Sequence, residues 1–308
     1  MPDQRLKPLL VTFGPTASGK SAAAIQVCRA IGGEIISADS MQVYRGFDIG
    51  TAKHRDEDSG VPQHLIDICA PDGVFSAADF VRRTLELVPE IEGRGCLPVV
   101  VGGTGLYLRA LLDGIFEGPP RDSSIRARLR EEAQSHGLSR LYLRLGEIDP
   151  DYQSRIHSND RVRIIRALEV AEITGTPLSA HFERNSLRLE GHDVLKLGLL
   201  LPREDLYARI DRRVEWMMEA GLVEEVSCLL AQGVSRQATP FKALGYRQVL
   251  DCLDGSASRA ETIASIQQET RRFAKRQMTW FRREQDAVWV RADRIELILP
   301  LVRHRLLY

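Results

Sequence analysis

One octapeptide near the start of the chain restricts the fold more than any other feature. Gly14-Pro15-Thr16-Ala17-Ser18-Gly19-Lys20-Ser21 meets the pattern G-x-x-x-x-G-K-[ST] at every fixed position. Such a loop needs a buried strand to deliver it and a helix to leave it, because its amides curl inward around a phosphate and the helix N-terminus adds its positive end. Both flanks comply: Pro8 to Phe13 is a short apolar run, and an alanine-rich helical segment extends from Lys20 to about Ile31. Lys20 brings a point charge for phosphate oxygens, and the Ser21 hydroxyl can ligate magnesium. Gly14 through Ser21 are therefore candidate phosphate-binding residues, with Ser21 the candidate Mg2+ ligand.

The other apolar runs extend this architecture. Glu34 to Ala38, Leu97 to Val101 and Asp193 to Leu201 read as further strands, the second largely β-branched, as suits burial on both faces. Their alternation with helical stretches predicts an α/β fold, a P-loop-containing open parallel sheet with helices on both faces. Between about Pro119 and Leu189 the β-branched runs all but disappear, and Arg, Glu, Ala and Leu recur at helical spacing. A helical insertion domain is predicted over 119–189, entered at Gly118-Pro119-Pro120, leaving 1–118 and 190–308 as the core domain. Helical segments resume from Arg203 through Leu230 and from Ala260 through Phe281.

At 308 residues and 44% hydrophobic content, the chain can bury one large core and a smaller appended one. Its 42 basic residues balance 42 acidic ones, so net charge does not drive polyanion binding and local clusters must. The segment Arg271 to Arg283 supplies one. At about 100° per residue, Arg271, Arg272, Lys275, Arg276, Arg282 and Arg283 fall on one side, and Phe273, Ala274, Trp280 and Phe281 on the other. The basic side would suit an RNA backbone, the apolar side the core. The five cysteines stand singly and the histidines lack ligand spacing, so neither disulfides nor a structural metal is expected. No apolar run is long enough to span a bilayer and no signal core precedes the first strand; a cytoplasmic monomer with no obligate protein partner is expected.

A phosphate cradle does not name its phosphate compound. ATP-hydrolysing relatives of this loop place an acidic residue at the end of a second apolar strand to help hold magnesium. Here Leu97 to Val101 runs into Gly102-Gly103-Thr104-Gly105, without a carboxylate. The strand Glu34 to Ala38 does end in one, Asp39, at the carboxyl edge of the sheet near the loop. That acid could cap a helix, ligate magnesium or act as a general base.

These residues carry a resemblance. Gly14 to Ser21, Ser37 to Gly46, Asp48-Ile49-Gly50-Thr51-Ala52-Lys53, His64-Leu65-Ile66-Asp67 and Val101 to Tyr107 closely resemble the tRNA dimethylallyltransferase family. So do His157-Ser158-Asn159-Asp160, Arg166 to Val170, Gly245-Tyr246-Arg247-Gln248, Ala274-Lys275-Arg276-Gln277 and Thr279-Trp280, in order across nearly the whole chain. Departures are local: His54 replaces a frequent Pro, Gln63 a frequent second His, and Ser21 a frequent Thr. No C-terminal zinc finger follows, as in compact bacterial forms.

The resemblance implies that the loop holds dimethylallyl diphosphate, whose pyrophosphate leaves as the prenyl group passes to the exocyclic N6 of an adenosine 3′-adjacent to the anticodon. It implies catalytic roles for Asp39 as general base, for Thr104 beside the target nucleotide and for Lys20, with Arg213 on the diphosphate and Mg2+ as cofactor. The anticodon stem-loop of tRNA is the implied partner, the adenine being flipped out of its stack. Implied tRNA contacts are Asp39, Ser40, Met41 and Gln42; Thr104; Arg126; Val162, Arg163, Ile164, Ile165 and Arg166; and Phe241, Lys242, Ala243, Leu244, Gly245, Tyr246 and Arg247. Two other readings share parts of this pattern, a P-loop small-molecule kinase and a nonenzymatic RNA-binding nucleotide switch. The kinase has no use for the motifs at Asp48 to Lys53 and Gly245 to Gln248, and the switch needs only the loop and the basic helix.

Overall fold

The computed structural model describes residues 6–53, 59–184 and 186–306; His54 lies outside them. The chain divides into two compact units, residues 1–112 with 189–308, and residues 113–188.

In the first unit, strands β1 (Lys7–Phe13), β2 (Gly33–Ser37), β3 (Gln63–His64), β4 (Leu97–Gly102), β7 (His192–Leu200) and β8 (Val288–Arg291) form one sheet. Their order is β3-β2-β4-β1-β7-β8, and every pairing is parallel. Side chains alternate between two buried faces, as a pleated strand demands. Leu10, Val99, Val101, Leu195, Leu197 and Leu199 share a core with Ala23, Ala24 and Val27 of the helix Lys20–Ile31, and with Ile298 and Val302 of the helix Ile298–Leu306. On the opposite face Phe13 lies 4.9 Å, ring to ring, from Phe281, the last residue of the helix Arg259–Phe281. The α/β sheet with helices on both faces is thus as expected, and strand boundaries move by a residue or so. The helical stretch from Arg203 breaks at Gly221 into Arg203–Glu219 and Leu222–Ala231. A further helix, Ala77–Gly93, is started by a reciprocal Ser76–Asp79 capping box.

The second unit begins at Asp113 rather than Pro119, because the short strands β5 (Ile115–Phe116) and β6 (Ser186–Leu187) pair antiparallel and tie both ends of the insertion together. Helices Ser123–Ser135, Leu138–Ile148 and Arg161–Thr174 bury Leu129, Leu141, Leu145, Ile164 and Leu168 in its core.

Candidate active site

β1 lies at the centre of the sheet, β4 beside it and β2 beyond β4, so the three turns that follow these strands meet at their carboxyl ends. The phosphate loop leaves β1, Asp39 follows β2, and Gly103 and Thr104 follow β4. Backbone bonds zip the last two together: Ala38 N–H donates to Val101 O at 2.7 Å, and Thr104 N–H to Ala38 O at 3.3 Å. Ser40 N–H donates to Thr104 Oγ1 at 3.1 Å. Approach is so close that a Cβ on Gly102 would sit 2.1 Å from Ala38 O, which explains glycine where an ATPase would carry its acid nearby.

These turns floor a cavity of about 580 Å³ within the first unit, a volume suited to a small organic ligand. Thr16, Lys20 and Ser21 line it from the loop, Asp39 to Gln42 and Gly50 to Ala52 from one wall, and Thr104 from the β4 turn. Ile210, Arg213, Val214 and Met217 enter from the helix Arg203–Glu219, and Ile266, Phe273, Arg276 and Gln277 from Arg259–Phe281.

Charge in the cavity is unbalanced toward positive. Burial, joined by the like charge of Arg213 and opposed by Asp39, pushes the Lys20 ammonium down to about 8. Burial likewise lowers Arg213, again against the pull of Asp39. Arg213 makes no ion pair among the described residues. Two cations and one carboxylate thus face each other at the cradle, an arrangement that an anion with several oxygens would complete.

Asp39 is both structural and available. Its Oδ1 accepts from the Met41 amide at 2.9 Å and less closely from Gln42, which fixes the side chain, while no hydrogen bond among the described residues goes to Oδ2. Holding the turn and chemistry are therefore compatible in one residue.

Gln277 is a part of the site that the sequence did not single out beyond its motif. Its Oε1 accepts from the Thr16 amide at 2.8 Å and its Nε2 donates to Gly103 O at 2.9 Å, so one buried amide joins the loop after β1 to the turn after β4. A Cβ on Gly103 would meet that Nε2 at 2.5 Å, so glycine is required for the clamp to close. Only the fold could reveal it.

For magnesium, the donors are hard oxygens. Ser21 and Asp39 line one cavity. That fits Mg2+, which characteristically takes one or two protein oxygens and completes its shell with phosphate and water.

The remaining expected contact residues divide. Lys242, Ala243, Leu244, Gly245 and Arg247 line the cavity, Lys242 and Arg247 exposed. Phe241 and Tyr246 are instead core residues, their rings 5.1 and 5.0 Å from Phe47, although Tyr246 also borders the cavity. The Tyr246 hydroxyl donates to Glu225 Oε1 at 2.7 Å and accepts from Gly50 N–H at 3.1 Å, and Glu225 Oε2 accepts from the amides of Asp48 and Ile49. This holds the 48–52 segment against the cavity. Gln42 also spends its side chain internally, accepting from Ser37 Oγ and donating to Thr51 O.

In the second unit, Ile164 and Ile165 are buried in its core, which removes their side chains from any outside contact. Arg126 and Arg166 pair with the fully buried Glu169, at 3.8 and 2.9 Å. Both arginines serve that buried charge. Val162 and Arg163 are exposed, because the helix turns those positions outward.

The basic helix also needs correction. Arg271 is held by both oxygens of Asp211, at 2.6 and 2.8 Å, and Arg272 by Glu269. Lys275 and Arg276 are exposed, whereas Phe273, expected in the core, is 37% exposed at the cavity mouth with Arg276 5.8 Å over its ring. Ala274 and Phe281 pack inward as expected.

Comparison with known proteins agrees with this geometry. The family described as IPP transferase matches residues 42–284. A tRNA dimethylallyltransferase of Geobacter sulfurreducens is 48% identical over 283 residues, covering 92% of this chain and 91% of that protein. One from Symbiobacterium thermophilum is 48% identical over 300 residues, covering 97% and 92%. The crystal structure of a tRNA isopentenylpyrophosphate transferase from Bacillus halodurans superposes with a TM-score of 0.71 at 39% identity, covering 97% of each chain. A eukaryotic dimethylallyltransferase seen acting on tRNA superposes at 0.76 with 29% identity, over 93% of this chain and 74% of that one. The phosphate loop, the acid after β2 and the carboxylate-free turn after β4 accordingly sit in a chain that belongs to the IPP transferase family.

Proposed function

We propose that this cavity transfers a dimethylallyl group from dimethylallyl diphosphate to the exocyclic N6 of the tRNA adenosine 3′-adjacent to the anticodon. The observation that carries the reading is the meeting of Lys20, Arg213 and Asp39 at one cradle with an apolar wall beside it. Lys20, Arg213 and the loop amides bind the diphosphate. As the C1–O bond breaks, its electron pair leaves with pyrophosphate, and negative charge grows on the bridging oxygen where these cations already stand. N6 forms the new bond to C1, and its proton passes to the open Oδ2 of Asp39. An arylamine is a weak nucleophile, so alignment by Thr104 and the 39–42 turn matters more than any covalent intermediate. Ser21, with Asp39 lining the same cavity, would hold Mg2+, which when bound supplies further positive charge to the diphosphate oxygens. The adenosine reaches the cavity flipped out of its stack, past the exposed Phe273, Lys242, Arg247 and Arg276.

The test is incubation of the protein with dimethylallyl diphosphate, Mg2+ and an unmodified tRNA transcript, followed by mass spectrometry of the nucleosides. One adenosine should gain one five-carbon unit, and Asp39→Ala should slow that step by roughly 10² to 10⁴ with tRNA binding retained. ATP consumption without prenylated RNA would overturn the reading in favour of a kinase.

A further inference from the structure

The helix Arg203–Glu219 marks out a direction inside the cavity. Midway along it, Ile210 packs in a cluster with Leu206, Ala274 and Ala17 of the phosphate loop. One turn on, Arg213 faces Lys20 and Asp39. Val214, the next residue, and Met217, one turn beyond Arg213, belong to a different cluster, built on Phe47, Tyr246 and Ile266 and bordered by Met41, Ile49 and Ala52. The helix therefore runs from the phosphate cradle to an apolar end wall. Val214, Met217 and Ile266 are 3%, 6% and 2% exposed and all line the cavity, as do Met41 and Ala52.

The cavity opens to solvent where Phe273, Lys242, Arg247 and Arg276 are exposed along its lining. A base attached to a polymer must enter from that side. The buried end is left for the tail of the small free substrate.

Arg213 and Met217 are four residues apart on one helix face, so they are separated by about 6 Å along the axis at 1.5 Å per residue. A dimethylallyl tail, from bridging oxygen to terminal methyl, is a zigzag of bonds of about 1.5 Å each and spans roughly 5 Å end to end. One more isoprene unit would add a similar length and run into Met217. Resting on the proposed prenyl transfer, we infer that Met217, in the cluster that Met41 and Ala52 border, is the end stop that limits the allylic diphosphate to five carbons. Methionine suits this place, since its unbranched side chain fills irregular apolar space.

The experiment compares kcat/KM for dimethylallyl and geranyl diphosphate on unmodified tRNA, in wild type, Met217→Ala, Met217→Val and Met217→Leu, each checked by thermal melting. The bond changes are the same for both donors: C1–O breaks, N6–C1 forms and pyrophosphate departs. Wild type should prefer the five-carbon donor at least tenfold, in line with what a single methylene is worth in an apolar pocket. Met217→Ala should shift the ten-to-five-carbon ratio at least tenfold toward geranyl, while Met217→Leu should keep it within about threefold of wild type. Should Met217→Ala fail to fold, Met217→Val, shorter in reach than Met, carries the test with the same direction of shift. An unchanged ratio in a folded shortened variant, or wild type that uses both donors equally, would overturn the end-stop role. Wild type that transfers neither donor would instead remove the prenyl transfer on which the inference rests.

Discussion

The amide of Thr16 and the side chain of Gln277 are 261 residues apart in sequence and 2.8 Å apart in space, bonded N–H to Oε1. The same side chain donates to Gly103 O, so the curvature of the phosphate loop and the position of the β4 turn depend on one residue. Gln277→Leu keeps most of the volume but leaves a loop amide and a turn carbonyl without partners, at about 1–3 kcal/mol for each buried group. We expect KM for the allylic diphosphate to rise roughly tenfold or more, with a lower melting temperature. Gln277→Glu keeps the acceptor for Thr16 and loses the donor to Gly103, and should fall between. Steady-state kinetics with calorimetry checks both; an unaltered KM in Gln277→Leu would separate the clamp from substrate binding.

Lys20 makes diphosphate binding depend on pH in a defined direction. Burial places its pKa near 8 against an ordinary 10.5, so between those values the folded apoprotein has shed a proton that the unfolded chain keeps. Stability contributed by this group is therefore lowest below pH 8 and rises toward pH 10.5. An anion wants the opposite, the charged ammonium. Pyrophosphate affinity should fall as pH climbs through 8, proton uptake should accompany binding there, and Lys20→Met should remove this part of both effects. Titration calorimetry in buffers of different ionisation enthalpy reads the protons directly.

The strands were legible because burial on both faces leaves a simple trace, and the phosphate loop because its backbone demands fix residue types at set spacings. β3, two residues long, and β8, four, leave no such trace and exist through pairing with β2 and β7. Side-chain roles were less legible wherever partners come from afar. Nothing local distinguishes Arg271, bound to Asp211, from Arg276, open at the cavity mouth, nor Ile164 in a core from Val162 outside it. Helical phase estimated from sequence placed Phe273 inward; the contacts of the helix with Gln277 at its hub turn that ring to the cavity.

Tyr246 and Glu225 together hold the 48–52 segment, since the phenol bonds Glu225 and receives the Gly50 amide. Burial and then the Glu225 charge push the phenol far above its usual range, so it stays a donor at every pH at which the protein is folded. Tyr246→Phe should cost about 1–3 kcal/mol in urea unfolding, because the Gly50 amide loses its acceptor and Glu225 one donor. Absorbance titration of the wild type should show buried tyrosines, Tyr246 and Tyr107, that do not ionise before unfolding, and one fewer in Tyr246→Phe. Normal ionisation of every tyrosine in the folded protein would contradict the clamp.

Lys275 and Arg276 are exposed and carry no ion pair among the described residues, unlike Arg271 and Arg272. If they lie on RNA phosphates, each contact releases counterions and adds about 0.7–0.9 to the slope of log K against log salt. Lys275→Glu with Arg276→Glu should therefore weaken tRNA binding and flatten that slope by about 1.4–1.8 in a salt series. Arg271→Gln is the counterpart: it leaves Asp211 unpaired between two packed helices, so it should lower stability and leave the salt slope as it was. Filter binding and thermal melting on the same preparations distinguish the two. A slope that moves with Arg271 and not with Lys275 and Arg276 would mean that the RNA backbone lies on the other side of this helix.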